Sequence, residues 1–197
     1  MPFSNSKIAG ALLFVGGAQF IIFLIISEAI FPGYSISANY ISDLGVWSMP
    51  SAAVFNPSIM FLGLTVIASS YFVSKAFRSH AIPVLLALAG LGSLLVGIFP
   101  ESAVSVTVYE LHDYVSFFAF IVGGLSAISF YKITQGPFRY LTVIFGALTL
   151  LAFVLFSTTS QYNYLGLGNG GMERMIAYPT IISTIGFGGY LLGITEK

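Results

Sequence analysis

The chain has 197 residues, of which 57% are hydrophobic and only 7% charged, with a formal net charge of zero. A soluble domain needs roughly 25% charged residues, so this composition excludes a water-facing globule and makes the bilayer the solvent. The scattered basic residues exclude a nucleic-acid footprint, and the lack of cysteine excludes disulfides, thiolate metal sites and a thiol nucleophile.

Six apolar runs approach the ~20 residues that a spanning helix needs. The first, Ile8 to Ile30, follows Lys7 and ends beside "SEA" (Ser27 to Ala29), which imitates a signal-peptidase site. Its apolar stretch exceeds the roughly 7 to 15 residues of a signal core, so it reads as a retained span. The link after it, "SISANYISDLG", carries Ile36, Tyr40, Ile41 and Leu44 at helical spacing, with Ser37 as a candidate cap and Gly45 at the C′ position. A short interfacial helix is expected there, with Asn39 and Asp43 on one side. The second span is Pro57 to Lys75; it starts either near Ser51, with Pro57 kinking it, or at Asn56 as cap with Pro57 in the favoured first position, the preferred reading.

The turn "AFRSHA" leads to the third span, Ile82 to Phe99. Beyond it, Thr107 and Glu110 have the spacing of a capping box, which starts a helix near Val108 and carries it into the fourth span, His112 to Tyr131. Ser116, Ala119 and Gly123 continue the His112 face, a small-residue stripe suited to helix contact that would turn His112 inward. The turn "KITQGPF" precedes the fifth span, Phe138 to Ser157; "GLGNGGMERM" precedes the sixth, Met175 to Ile194, where Gly189 and Gly193 form a G-x-x-x-G that permits close contact with another helix, including a second copy.

Lipid offers no partners to backbone amides, so the runs must be helices and the fold an all-α, six-span transmembrane bundle. Six spans place Lys7, Lys75, Arg78, Lys132, Arg139 and Lys197 on one side, and Glu28, Asp43, Glu101, Glu110, Asp113 and Glu173 on the other with Arg174. The positive-inside rule then puts both termini in the cytoplasm of a multi-pass cell-membrane protein. The longer links all lie on the acidic, outer side, and function concentrates on such loops.

Asp43, Glu101, His112, Asp113, Glu173 and Arg174 are the candidate site, a polar outer vestibule that would bind a ligand. Each has a plainer reading beside the functional one. Asp43 either accepts amides of its own turn or points at the bundle mouth. Asp113 gains from the helix dipole, and His112 is either a satisfied structural histidine or a catalytic, ligand or proton-switch group. Gly166, Gly168 and Gly171 match G-x-G-x-x-G but lack the βαβ context of a dinucleotide site. They leave two readings: an anion site at a helix N-terminus with Arg174, or a loop whose Glu173 and Arg174 pair with other outer charges. Ser42, Asp43 and His112 supply the residue types of an activated serine, but match no nucleophile motif. One histidine on this side is a poor start for a metal site, and no metal or cofactor is assigned.

"NYISDLG" after the first span, "GIFPE" closing the third and "LHDYVSFFAF" opening the fourth resemble an uncharacterised family of prokaryotic six-helix membrane proteins, over nearly the whole chain. That resemblance picks out Ser42, Asp43, Leu44, Gly45 and His112. "SDLG" with Pro50 and Phe55 is also similar to eukaryotic six-span proteins of the autophagy-modulator type. Neither family implies an activity. The expected role is non-catalytic: the vestibule holds a membrane-lipid headgroup or a segment of a membrane-protein partner. A membrane-embedded lipid or amide hydrolase using Ser42, Asp43 and His112 is the alternative, and a small-solute or proton-coupled transporter a third, disfavoured by the lack of charge near the midplane.

Overall fold

The computed structural model describes residues 3–101, 106–158 and 164–194. Six helices are long and apolar enough to cross a membrane: α1 (Asn5–Ile30), α2 (Ala52–Ala76), α3 (Ala81–Ile98), α4 (Val106–Ser129), α5 (Phe138–Thr158) and α6 (Gly168–Gly193). Each helix packs on its neighbours in the chain, and α6 returns to α1, so the six form a ring closed in sequence order. Consecutive spans run antiparallel. One end of the ring gathers the short basic turns, and the other gathers the acidic links.

Without a hydrophobic force between helices in lipid, close backbone approach has to hold the ring together. Three seams use facing glycines. A Cβ on Gly10 of α1 would lie 2.7 Å from the Gly188 carbonyl of α6, one on Gly63 of α2 2.6 Å from the Gly90 carbonyl of α3, and one on Gly146 of α5 2.5 Å from the Gly124 carbonyl of α4. Gln19, the one amide deep in α1, is satisfied across a seam: its Nε2 donates to the Gly16 and Ser58 carbonyls, both at 2.9 Å. Gly189 and Gly193 lie elsewhere, on a face where an added Cβ would meet nothing within 4 Å.

Three local expectations need correction. Helix α2 begins at Ala52, not at Asn56, so Pro57 lies inside it. The extra turn forms because Ala52 and Phe55 are buried and the Ser51 carbonyl accepts the Val54 and Phe55 amides at 3.0 and 2.8 Å. Asn56 is then free for another task, donating Nδ2 to the Gly45 carbonyl at 2.9 Å. Helix α4 already includes Val106, which leaves Thr107 inside the helix and not in front of it.

The first link does not form one short helix. It is a turn near residues 36–39 followed by a single 3-10 turn, Ser42–Gly45. The carbonyls that would propagate a helix are used elsewhere: Arg174 Nη1 donates to those of Ile36 and Asn39 at 3.1 and 3.4 Å, and the Gly170 amide to that of Ser37 at 3.1 Å. A backbone acceptor taken by α6 is lost to local helix. Gly45 does not adopt a left-handed conformation. Its small size matters instead, since a Cβ there would lie 2.5 Å from Asn56 Oδ1.

Candidate functional site

The first link folds inward and plugs the acidic end of the ring. Leu44 and Ile41 are buried in the main core, and the Tyr40 ring meets Phe156 of α5 edge-on at 6.0 Å. Two glycines of α6 let the link sit this close. A Cβ on Gly168 would lie 2.2 Å from the Ser37 carbonyl, and one on Gly170 1.8 Å from that of Asn39. The glycine-rich stretch is thus a bed for the plug.

Side chains fasten the plug at several points. Ile41 N donates to Glu173 Oε2 of α6, and Ser42 Oγ donates to Glu101 Oε2 at 2.7 Å. Asp43 acts within the link, where Oδ2 accepts Asn39 Nδ2 and the Tyr40 amide, both at 2.9 Å. Arg174 spends its guanidinium on structure. Nη2 meets Glu28 Oε1 at 2.6 Å and Tyr34 Oη at 2.5 Å, and Nη1 also reaches the Gly170 carbonyl at 2.9 Å. Of the two readings for this arginine, the geometry is that of a charge pair, and its partner is Glu28 in the last turn of α1.

His112 is 4% exposed. Its Nδ1 lies 2.7 Å from the Phe99 carbonyl, which can only accept, so Nδ1 carries the proton. Nε2 then faces Ser116 Oγ at 3.2 Å. Both ring nitrogens are engaged, and among the described residues no hydrogen bond joins His112 to Ser42 or Asp43. The serine beside this histidine is Ser116, one helical turn below it on the inward face of α4.

Glu101, just beyond α3, draws the outer acids together. Burial raises its pKa; the Ser42 hydrogen bond lowers it, the Asp43 charge raises it, His112 lowers it and Asp113 raises it further. Those groups, with Glu173 close by, therefore share one neighbourhood. Tyr34 beside Arg174 is pushed up to about 12, chiefly by burial. Among the described residues no three histidines, aspartates or glutamates are placed to share a metal ion.

Beneath the plug lies a cavity of about 120 Å³. Its walls come from Leu62 of α2, Ala89 of α3, Gly123 of α4 and Ala177 of α6, with Phe20 from α1. Ile41, Ser42 and Glu173 form its acidic end, while Phe130 and Thr184 lie towards the basic end, where Phe130 stacks on Phe187 at 4.0 Å. From Glu173 to Thr184 the α6 wall rises about 16 Å at ~1.5 Å per residue. Glu101, Glu173 and Arg174 thus clamp the plug that carries Asp43, His112 is held by Phe99 and Ser116, and of the vestibule residues Glu173 lines the top of the cavity. Glu28, Tyr34, Asn39 and Ser116 belong to the same assembly. In the sequence Glu28 was marked as an outer acid, Asn39 as sharing a side with Asp43 and Ser116 as a small residue on the His112 face, while Tyr34 carried no signal.

A closed ring of six apolar helices around a plugged, mostly apolar cavity defines a multi-pass α-helical membrane protein. Residues 14–189 match the family model described as "Protein of unknown function (DUF998)". The chain belongs to that family. No curated protein and no solved structure is significantly similar to it.

Proposed function

We propose that this protein binds a membrane lipid without transforming it, with a hydrocarbon chain in the central cavity and the polar end beneath the Ile41–Ser42 plug. The cavity carries this reading. It is lined mostly by apolar and small side chains, and its lining residues span ~16 Å of α6, about half of a ~30 Å hydrocarbon core and the depth that one lipid chain occupies. Small-molecule sites are typically concave, apolar and finished with a few polar groups, which fits Ser42 and Glu173 at one end.

The test is native mass spectrometry of protein purified in mild detergent, with lipid extraction. The wild type should carry a co-purifying lipid, and Ala89→Phe and Ala177→Phe, which fill the cavity from two walls, should lose it while remaining folded. No lipid in the wild type, or the same amount in the filled variants, would overturn the proposal. A second reading, a lipid hydrolase, has one observation in its favour: Ser116 lines the cavity 3.2 Å from His112 Nε2, the arrangement of a serine with its base. Release of free fatty acid that stops in both Ser116→Ala and His112→Ala would establish it in place of simple binding.

A further inference from the structure

The polar atoms at the acidic end of the cavity share a property that narrows the ligand. Glu173 is 8% exposed and lines the cavity. Its Oε2 takes the Ile41 amide, and Oε1 has no hydrogen-bond partner among the described residues. In the ionised form that a cationic ligand would favour, the carboxylate has about four acceptor sites, of which the Ile41 amide fills one. Ser42 also lines the cavity, but its proton is committed to Glu101 Oε2, which leaves only lone pairs. Ser116 repeats the pattern lower on the wall. With Nδ1–H given to Phe99, an imidazole carrying that one proton presents a bare Nε2; a Ser116 hydroxyl donating to it across 3.2 Å offers the cavity only lone pairs. All three groups accept.

The charges point the same way. Asp43, Glu101 and Arg174 lie within electrostatic reach of Glu173, and Arg174 already pairs with Glu28 at 2.6 Å. A phosphate or carboxylate here would meet acids and acceptors with no free cation. A neutral ligand without donors gains no ion pair here and leaves the buried carboxyl to shed its charge by taking up a proton. An ammonium group supplies positive charge and three donors.

Resting on the lipid-binding reading above, we infer that the cavity's ligand is a single-chain aliphatic amine. Its ammonium sits on Glu173 Oε1 and Ser42 Oγ, and its chain runs down between α2, α3, α4 and α6. An amine on a diacyl phospholipid is a poorer fit, because its phosphate would enter the same acidic neighbourhood and its second chain has no place in a cavity of about 120 Å³.

The experiment uses the full chain in a neutral maltoside detergent, reading binding by native mass spectrometry and thermal shift. Four probes share one chain length: hexadecylamine, hexadecyltrimethylammonium, hexadecanol and hexadecanoic acid, with a diacyl phosphatidylethanolamine as a fifth. The primary amine should bind best. The trimethylammonium, with charge but no donors, and the alcohol, with a donor but no charge, should be weaker, and the acid weakest. A charge-assisted bond supports a preference of about tenfold to a hundredfold for amine over alcohol, and Glu173→Gln, which keeps a carbonyl for the Ile41 amide, should erase most of it. If that variant fails to fold, the wild-type ranking alone decides. Equal binding of amine and acid, an unchanged preference in folded Glu173→Gln, or a best ligand that is the phosphatidylethanolamine would overturn the inference. If any chain binds and Ala89→Phe blocks it, the cavity reading survives such a result; if no chain binds, both fall.

Discussion

At the scale of single residues, the acids act as fasteners, and Glu101 makes that measurable. Burial holds its folded-state pKa above the ordinary 4.5, so the protonated carboxyl favours the fold. Its contribution is fully present below pH 4.5 and is lost as pH rises through the folded value. Glu101→Gln keeps an acceptor for Ser42 Oγ and removes the titration. Thermal melts in detergent should therefore show wild-type stability declining from mildly acidic to neutral pH, a flatter profile in the variant, and a variant at least as stable as the wild type at neutral pH. Identical profiles would mean that Glu101 is solvated. Spacing could not show that Asp43 and His112 meet, but the placement of Asp43, Glu101, His112, Asp113 and Glu173 on one side was legible because the chain spends few charges. The partners were not. Glu28 and Arg174 are 146 positions apart, and nothing local to Arg174 distinguishes a buried pair from an anion site. Ser116 was visible only as a small residue on the His112 face, because its bond to Nε2 depends on Phe99 fixing the tautomer.

At the scale of elements, the six helices could be read from apolar run lengths, since spans in lipid have no alternative structure. What resisted reading was the acidic-end backbone. Helical spacing in "SISANYISDLG" promised a helix, and the acceptors it needed were claimed by Arg174 and Gly170 from the other end of the chain. The α2 start moved for a related reason: Asn56, a good cap by type, is drawn away to the Gly45 carbonyl. These contacts make a paired prediction. Gly170→Ala would drive a Cβ to 1.8 Å from the Asn39 carbonyl, so the plug must shift. The variant should lose about 1–3 kcal/mol, typical of overpacking, and protease should cut the first link faster. Gly189→Ala has open space around the new methyl and should stay within about 0.5 kcal/mol of wild type, as surface substitutions do. Slow cleavage in Gly170→Ala, at the Gly189→Ala rate, would show that the plug does not rest on α6.

At the scale of the whole molecule, the even number of spans puts both ends of the chain on the basic side of the ring. The positive-inside rule predicts that this side is cytoplasmic, and the chain's lack of cysteine makes the prediction simple to check. Single cysteines at exposed Ser48 in the first link and exposed Gln135 between α4 and α5 should respond differently to an impermeant maleimide on intact cells. Ser48→Cys should label and Gln135→Cys should not; the reverse pattern would invert the protein in its membrane. The ring order could not be read from the sequence, because hydropathy counts helices without saying which ones touch. The seam glycines Gly10 and Gly188 lie far apart in the sequence, and their mutual approach, with the Arg174–Glu28 pair, shows that α1 and α6 meet.

That seam bears on how the protein is made. Five of the six helix contacts around the ring join chain neighbours, and each can form as the polypeptide emerges and enters the bilayer. The sixth, α1 with α6, waits for the synthesis of α6, as do the guanidinium that Glu28 needs and the carboxylate that receives the Ile41 amide. A chain released before Arg174 therefore has an unpaired acid at the end of its first span and a plug with nothing to rest on. Arrival of α6 and seating of the plug are one event, so a product cut short before α6 is chemically distinct from one that carries it at the point where membrane quality control would meet it.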